Sequence, residues 1–149
     1  MLKPSKPLSF RCVLLLAVVS GLLIAGIARA RSADCLSGDD TAIRQAIGTL
    51  SSRYNDVPSC LACDTQKTPI ERLICSHPRL KLMEVLDTKA AVYAYENATA
   101  RQTRHSRPDC SFIAQELSTC TDEHCACKRL KAHTNDSLGG PSPYSREAN

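Results

Sequence analysis

Tryptophan is absent from this chain, phenylalanine and methionine occur twice each, and aromatic residues make up 4% of the sequence. With so few large apolar side chains, one small core is the most it can build, and such a core needs covalent support. Reactive constellations are missing as well. There is no Gly-x-Ser-x-Gly, no His-Glu-x-x-His and no glycine-rich phosphate loop, so the sequence shows no enzyme and catalytic residues are expected to be none. No convincing strand pattern occurs, and no segment repeats. What remains is an all-α class, a small disulfide-stabilised helical bundle or hairpin in one domain.

The one long apolar run, residues 13–28, follows Lys3, Lys6 and Arg11 and ends in Ala28-Arg29-Ala30. That order is a secretory signal peptide over residues 1–30. An uncleaved membrane anchor is the alternative, but the run is slightly short of the ~20 residues a span requires, and Ser20, Gly21 and Gly26 dilute it. Asp34 makes a poor lipidation context for Cys35. The leader holds Lys3, Lys6, Arg11 and Arg29 and no acid. Of 19 basic and 15 acidic residues it therefore removes only basic ones, and the +4 net charge falls to balance. Nucleic-acid binding loses its electrostatic support, and any membrane association would run through an uncleaved leader.

Of nine cysteines, Cys12 departs with the leader. Cys35, Cys60, Cys63, Cys75, Cys110, Cys120, Cys125 and Cys127 remain, an even set that reads as a disulfide framework in a periplasmic or extracellular chain.

Residues 63–80 organise the rest. Thr68 is a good helix N-cap, Pro69 suits a first turn, and Glu71 stands where a capping-box carboxylate reaches back to the Thr68 amide. Ile70, Leu73 and Ile74 share one face. Pro78 disfavours helical geometry at His77, so this helix is short, and Ser76 is placed to cap a second one with Pro78 in its first turn. Cys63 and Cys75 bracket the unit. A bond between them would be worth about 3 kcal/mol in the chain-entropy model. Cys60 pairing with Cys35 is the further expectation, with the full connectivity left open.

Helices are also expected over 40–54, from Pro78 to about Gln102, and from Thr121-Asp122-Glu123 to His133 or Leu138. The first carries Ile43, Ile47, Leu50 and Tyr54 as its stripe, with Ala46 beside it. The long one sets Leu82, Met83, Leu86, Ala90, Tyr93, Ala94 and Asn97 near one face, widened by Val85 and Val92. Phe112, Ile113 and Leu117 suggest a short helical turn. The domain is placed at 31–138, and 139–149, opening Gly139-Gly140-Pro141-Ser142-Pro143, reads as a disordered tail.

The pattern Cys63, Thr68-Pro69-Ile70-Glu71, then Leu73-Ile74-Cys75-Ser76-x-Pro78-x-Leu80, resembles the LprI-type lysozyme-inhibitor domain, a family of small secreted bacterial proteins. The close match covers 63–80, and a looser one reaches Cys125-Ala126-Cys127. Leu86-Asp87 and Tyr93 or Tyr95 stand near the family's Leu-Asp pair and later Tyr. Gln102, His105, Arg107, Asp109 and Cys110 follow the order of its helix end, with His105 near the family's Trp. The resemblance implies a protein partner, a lysozyme-type muramidase, which this chain would inhibit without cofactor or metal. Inhibition of that kind needs a carboxylate-lined cleft to be occluded by a cation or hydroxyl on a rigid loop. The stapled stretch 64–68, with Lys67, is the candidate on exposure and rigidity alone. The alternative is a non-inhibitory structural or interaction module of the cell envelope.

Other motifs have plainer readings. Cys60-Leu61-Ala62-Cys63 has redox-pair spacing, but no strand precedes it and the next helix cap is Thr68. Cys60, Cys63, Cys125, Cys127, His124 and His133 contain zinc-like pieces, yet export favours oxidation over metal ligation. Lys128, Arg129 and Lys131 form a basic helical face of the kind usually left to solvent.

Overall fold

Buried charge decides how the helices of this chain meet. The computed structural model describes residues 35–101 and 108–144; the leader, Cys12, Gln102, His105, Arg107 and residues 145–149 lie outside them. The described residues form α1 (Thr41–Tyr54), α2 (Pro69–Ser76), α3 (Pro78–Thr99), α4 (Ser111–Gln115), a 3-10 turn (Leu117–Thr119) and α5 (Glu123–Leu138), with no strand among them. The molecule is a small disulfide-stabilised all-α fold.

α3 is the central element. Leu80, Met83, Leu86 and Ala90 are fully buried on it, against Ile43 of α1, Ile74 of α2 and Leu130 of α5. Val92 is buried too, whereas Leu82, Val85, Tyr93 and Ala94 are only half-buried and Asn97 is exposed. The remaining buried positions on α3 are polar: Arg79, Glu84, Asp87, Thr88, Lys89 and Glu96. Each charged one meets a partner on another element or on the loops. Arg79 donates to the Cys35 carbonyl at 2.9 Å and the Gly38 carbonyl at 3.3 Å, and pairs with Asp40. Glu84 accepts from the Ser59 hydroxyl, the Cys60 amide and Thr88. Lys89 Nζ donates to the Tyr54 carbonyl at 2.6 Å, a cation at the C-terminus of α1 where the helix dipole favours it. Glu96 accepts from the Tyr54 hydroxyl at 2.9 Å and pairs with Arg53 at 2.7 Å. Leaving any of these charges buried without its partner would cost several kcal/mol, so the set fixes which element packs where.

Two local expectations need correction. Ser76 does not cap the second helix. Its hydroxyl donates back to the Leu73 carbonyl at 3.0 Å, and the N-cap is His77, which makes no side-chain cap bond. Ser76 is still helical, and its hydroxyl turns to a free carbonyl of its own last turn. The second concerns connectivity: Cys60 bonds Cys110 and Cys35 bonds Cys127, not each other. Arg79 holds the Cys35 carbonyl at the base of α3, where Cys127 of α5 is wholly buried against Met83. Glu84 holds the Cys60 amide farther along α3. Cys63–Cys75 is bonded as expected, and Cys120–Cys125 completes the four. The Cys60-x-x-Cys63 motif is thus split between two bridges.

The segment after Gly139 does not simply trail away. Gly139 ends α5 at φ 62°, a left-handed conformation suited to glycine, and Tyr144 then packs against the core.

Candidate functional site

The chain from Asp64 to Pro69 is exposed at every residue, between half-buried Cys63 and buried Ile70. Exposure of that length normally means freedom, but four sets of restraints remove it. The Cys63–Cys75 disulfide ties the loop entrance to the last turn of α2. Thr68 and Glu71 form the expected capping box: Thr68 Oγ1 accepts from the Glu71 amide at 3.3 Å, and Glu71 Oε2 accepts from the Thr68 amide at 2.7 Å. The same Glu71 oxygen also takes the Lys67 amide at 2.6 Å, and these backbone donors hold the carboxyl below the usual glutamate range. On the other side of the same residue, Arg72 Nη1 donates to the Lys67 carbonyl at 3.3 Å. At the entrance, the Thr65 amide meets the Ala62 carbonyl at 3.1 Å and Gln66 Nε2 donates to the Cys63 carbonyl at 2.8 Å.

Lys67 therefore leaves the surface from a peptide fixed at both its amide and its carbonyl. Beneath it, Ile70 and Ile74 are buried, so α2 is a seat for the loop as well as its exit. The structure brings Cys63, Lys67, Thr68, Pro69, Glu71 and Cys75 into one unit. Cys35, Cys60, Cys110, Cys120, Cys125 and Cys127 belong to the scaffold instead. Sequence reasoning passed over Arg72. Its signal was available: position five after Lys67 on a capped helix lies one turn in, within reach of the loop carbonyl.

A second constellation joins α3, α5 and the C-terminal segment. Asp87 Oδ1 accepts from Thr134 Oγ1 at 2.9 Å and lies 2.8 Å from His133 Nδ1; the Tyr144 hydroxyl donates to Thr134 Oγ1 at 3.0 Å. His133 stacks on Phe112, ring centroids 3.8 Å apart. The hydrogen bond to Asp87 raises the His133 pKa despite the opposing effect of burial, and burial pushes the Tyr144 phenol up. The His–Asp pair orients one imidazole nitrogen, as a general base would require, but the other members of the cluster are Thr134 and Tyr144, already bonded inward. Its physical role is to join α5 and the strap 139–144 to α3. That strap walls a groove of about 750 Å³ against α1, lined by Ala46, Leu50, Tyr93, Leu138 and Pro143.

Among the described residues, no group of three His, Cys, Asp or Glu side chains is arranged to hold a metal ion, and no helix is long and apolar enough to cross a membrane. Four disulfides belong to an oxidising, non-cytoplasmic setting. No family model, no curated protein and no solved structure matches the chain.

Proposed function

We propose that this is an exported binding protein of the LprI type that inhibits a muramidase by placing the loop 64–69 in its active-site cleft. One observation carries the reading: Lys67 is exposed, yet its own peptide is clamped on both sides by Glu71 and Arg72. A loop ordered before binding forfeits little conformational entropy on docking, which is the main cost of inserting an exposed segment into a cleft. The opposing surface would be acidic, because glycan-cleaving sites carry a pair of carboxyl groups. The resemblance of residues 63–80 to LprI-type domains supports the same partner class.

The test is cell-wall lysis by lysozymes of the c, g and i classes in the presence of the full chain, expressed with its own leader and recovered oxidised. Dose-dependent inhibition that disappears on reduction is expected, and Lys67→Ala should weaken it by about tenfold, the scale of one charged contact. Inhibition unchanged in Lys67→Ala would remove that residue from the interface. A folded, oxidised sample that inhibits no class would replace the proposal with a non-inhibitory module of the cell envelope.

A further inference from the structure

We infer that Arg72 is a second contact residue of the same site, and that Lys67 and Arg72 together form a two-cation clamp for the paired catalytic carboxyl groups of the muramidase. This rests on the inhibitory reading above and narrows it to a residue and a chemical group.

Arg72 is exposed, and among the described residues its side chain makes one hydrogen bond, from Nη1 to the Lys67 carbonyl. A guanidinium has five N–H donors in a planar fork, so most of its donors face no partner among the described residues. The bond it does make sets the position of the fork: beside the backbone of Lys67, on the exposed edge of the loop. Lys67 contributes its ammonium from the same peptide, at the end of a four-carbon stem. The two cations are thus of different kinds and differently placed. Arg72 suits a bidentate carboxylate, whereas Lys67 acts as a movable point charge.

The acid between them in sequence does not cancel the pair. Glu71 Oε2 is occupied by the Lys67 and Thr68 amides, so that oxygen is turned toward the loop backbone. Its carboxylate orders the Lys67 peptide, whose carbonyl in turn holds Arg72. A muramidase cleft offers two carboxyl groups roughly 5 to 9.5 Å apart, depending on mechanism. Two cations carried on one peptide and its adjacent helical turn are complementary in charge to such an acceptor.

The experiment is a double-mutant cycle by titration calorimetry, which needs no catalysis. Oxidised full-chain protein, its Arg72→Gln variant and its Arg72→Lys variant are each titrated with the inhibited lysozyme, and with that lysozyme after both catalytic carboxyl groups are changed to amides. Circular dichroism and a count of free thiols confirm folding of each variant. Against the native enzyme, Arg72→Gln should weaken binding about tenfold or more, with Arg72→Lys in between because charge survives without the fork. Against the amide enzyme, the Arg72→Gln penalty should largely vanish. Native binding unaffected by Arg72→Gln would overturn the clamp while leaving the inhibitory reading intact. A penalty of equal size against both enzymes would also overturn it, since the contact would then lie elsewhere in the cleft. If the wild-type protein binds no lysozyme of any class, both inferences fall together.

Discussion

Removing the Cys63–Cys75 bridge should loosen the loop without unfolding the protein, and the two effects can be separated. The bridge spans 12 positions of sequence. In the chain-entropy model a closed loop of that size restrains the unfolded chain by about 3 kcal/mol at 25 °C. For a domain this small, with a urea m-value of about 1.5 kcal/mol/M, the double variant Cys63→Ala/Cys75→Ala should lose about 2 M in unfolding midpoint. The loop keeps other supports. Its capping box contributes about 1 kcal/mol, and Ile70 and Ile74 stay buried beneath α2. Native helicity should therefore survive, while the stretch 64–67 gains freedom that must be given up again on docking. That ordering costs about 0.5–1.5 kcal/mol for each side chain fixed, so inhibition should weaken by about tenfold. Urea titration followed by circular dichroism measures the first effect and inhibition of lysis the second. An unchanged midpoint would refute the entropic argument. A lower midpoint with unchanged inhibition would show that Glu71 and Arg72 order the loop unaided.

Three other substitutions probe the supports of the fold. His133 has a raised pKa in the folded chain, so its paired form stabilises fully below about pH 6.5, the ordinary histidine value, and that contribution is lost as pH rises through the raised one. The stability gap between wild type and His133→Gln should shrink on raising the pH across that interval; a gap that widened would reverse the assigned charge. Glu71 is lowered, so the opposite sign holds: the gap to Glu71→Gln should be present above the ordinary glutamate range and close as pH falls through its lowered value. Tyr144→Phe removes one donor to Thr134, which should cost about 1 kcal/mol and speed limited proteolysis within 139–144. Proteolysis at the wild-type rate would mean that the ring alone holds the strap.

Local chemistry made much of this legible. Thr68, Pro69 and Glu71 announce a helix start whatever surrounds them, because a capping box is satisfied within four residues. The apolar spacing of Ile43, Ile47 and Leu50, or of Met83, Leu86 and Ala90, marks helices for the same reason. Long-range pairing was another matter. Cys35 and Cys127 lie 92 positions apart, and nothing near either one names the other. The pairing follows from where Arg79 and Met83 place them on α3, which is tertiary information. The charges of α3 are a different case. Glu84, Asp87 and Lys89 are buried, which sequence does not reveal, since it shows a charge but not its partner across the fold. Tyr144 sat in a glycine- and proline-rich stretch whose composition matches a tail, and only the buried Thr134–Asp87 pair explains why its ring turns inward.

The bridges and the buried charges divide the work in a way that bears on the loop. Cys35–Cys127 and Cys60–Cys110 cross 92 and 50 positions, so they restrain the unfolded chain most strongly. They say little about which helix face meets which, because a flexible chain closed at two points still has many ways to pack. Arg79, Glu84, Asp87, Lys89 and Glu96 supply that selection, since each loses its partner if α3 rotates or slides. Cys63–Cys75 restrains the unfolded chain less, and neither it nor Glu71 selects which helix faces meet. Both operate within one short segment, and Arg72, the third restraint, also stays inside it. The loop is thus ordered by its own residues and merely seated on the bundle through Ile70 and Ile74. Its shape should persist when the packing of α5 is perturbed. Tyr144→Phe, which acts on the other constellation, is accordingly expected to lower stability while leaving inhibition at its wild-type strength. A parallel loss of inhibition would show that the loop depends on the packing of α5, and that its rigidity is borrowed from the bundle.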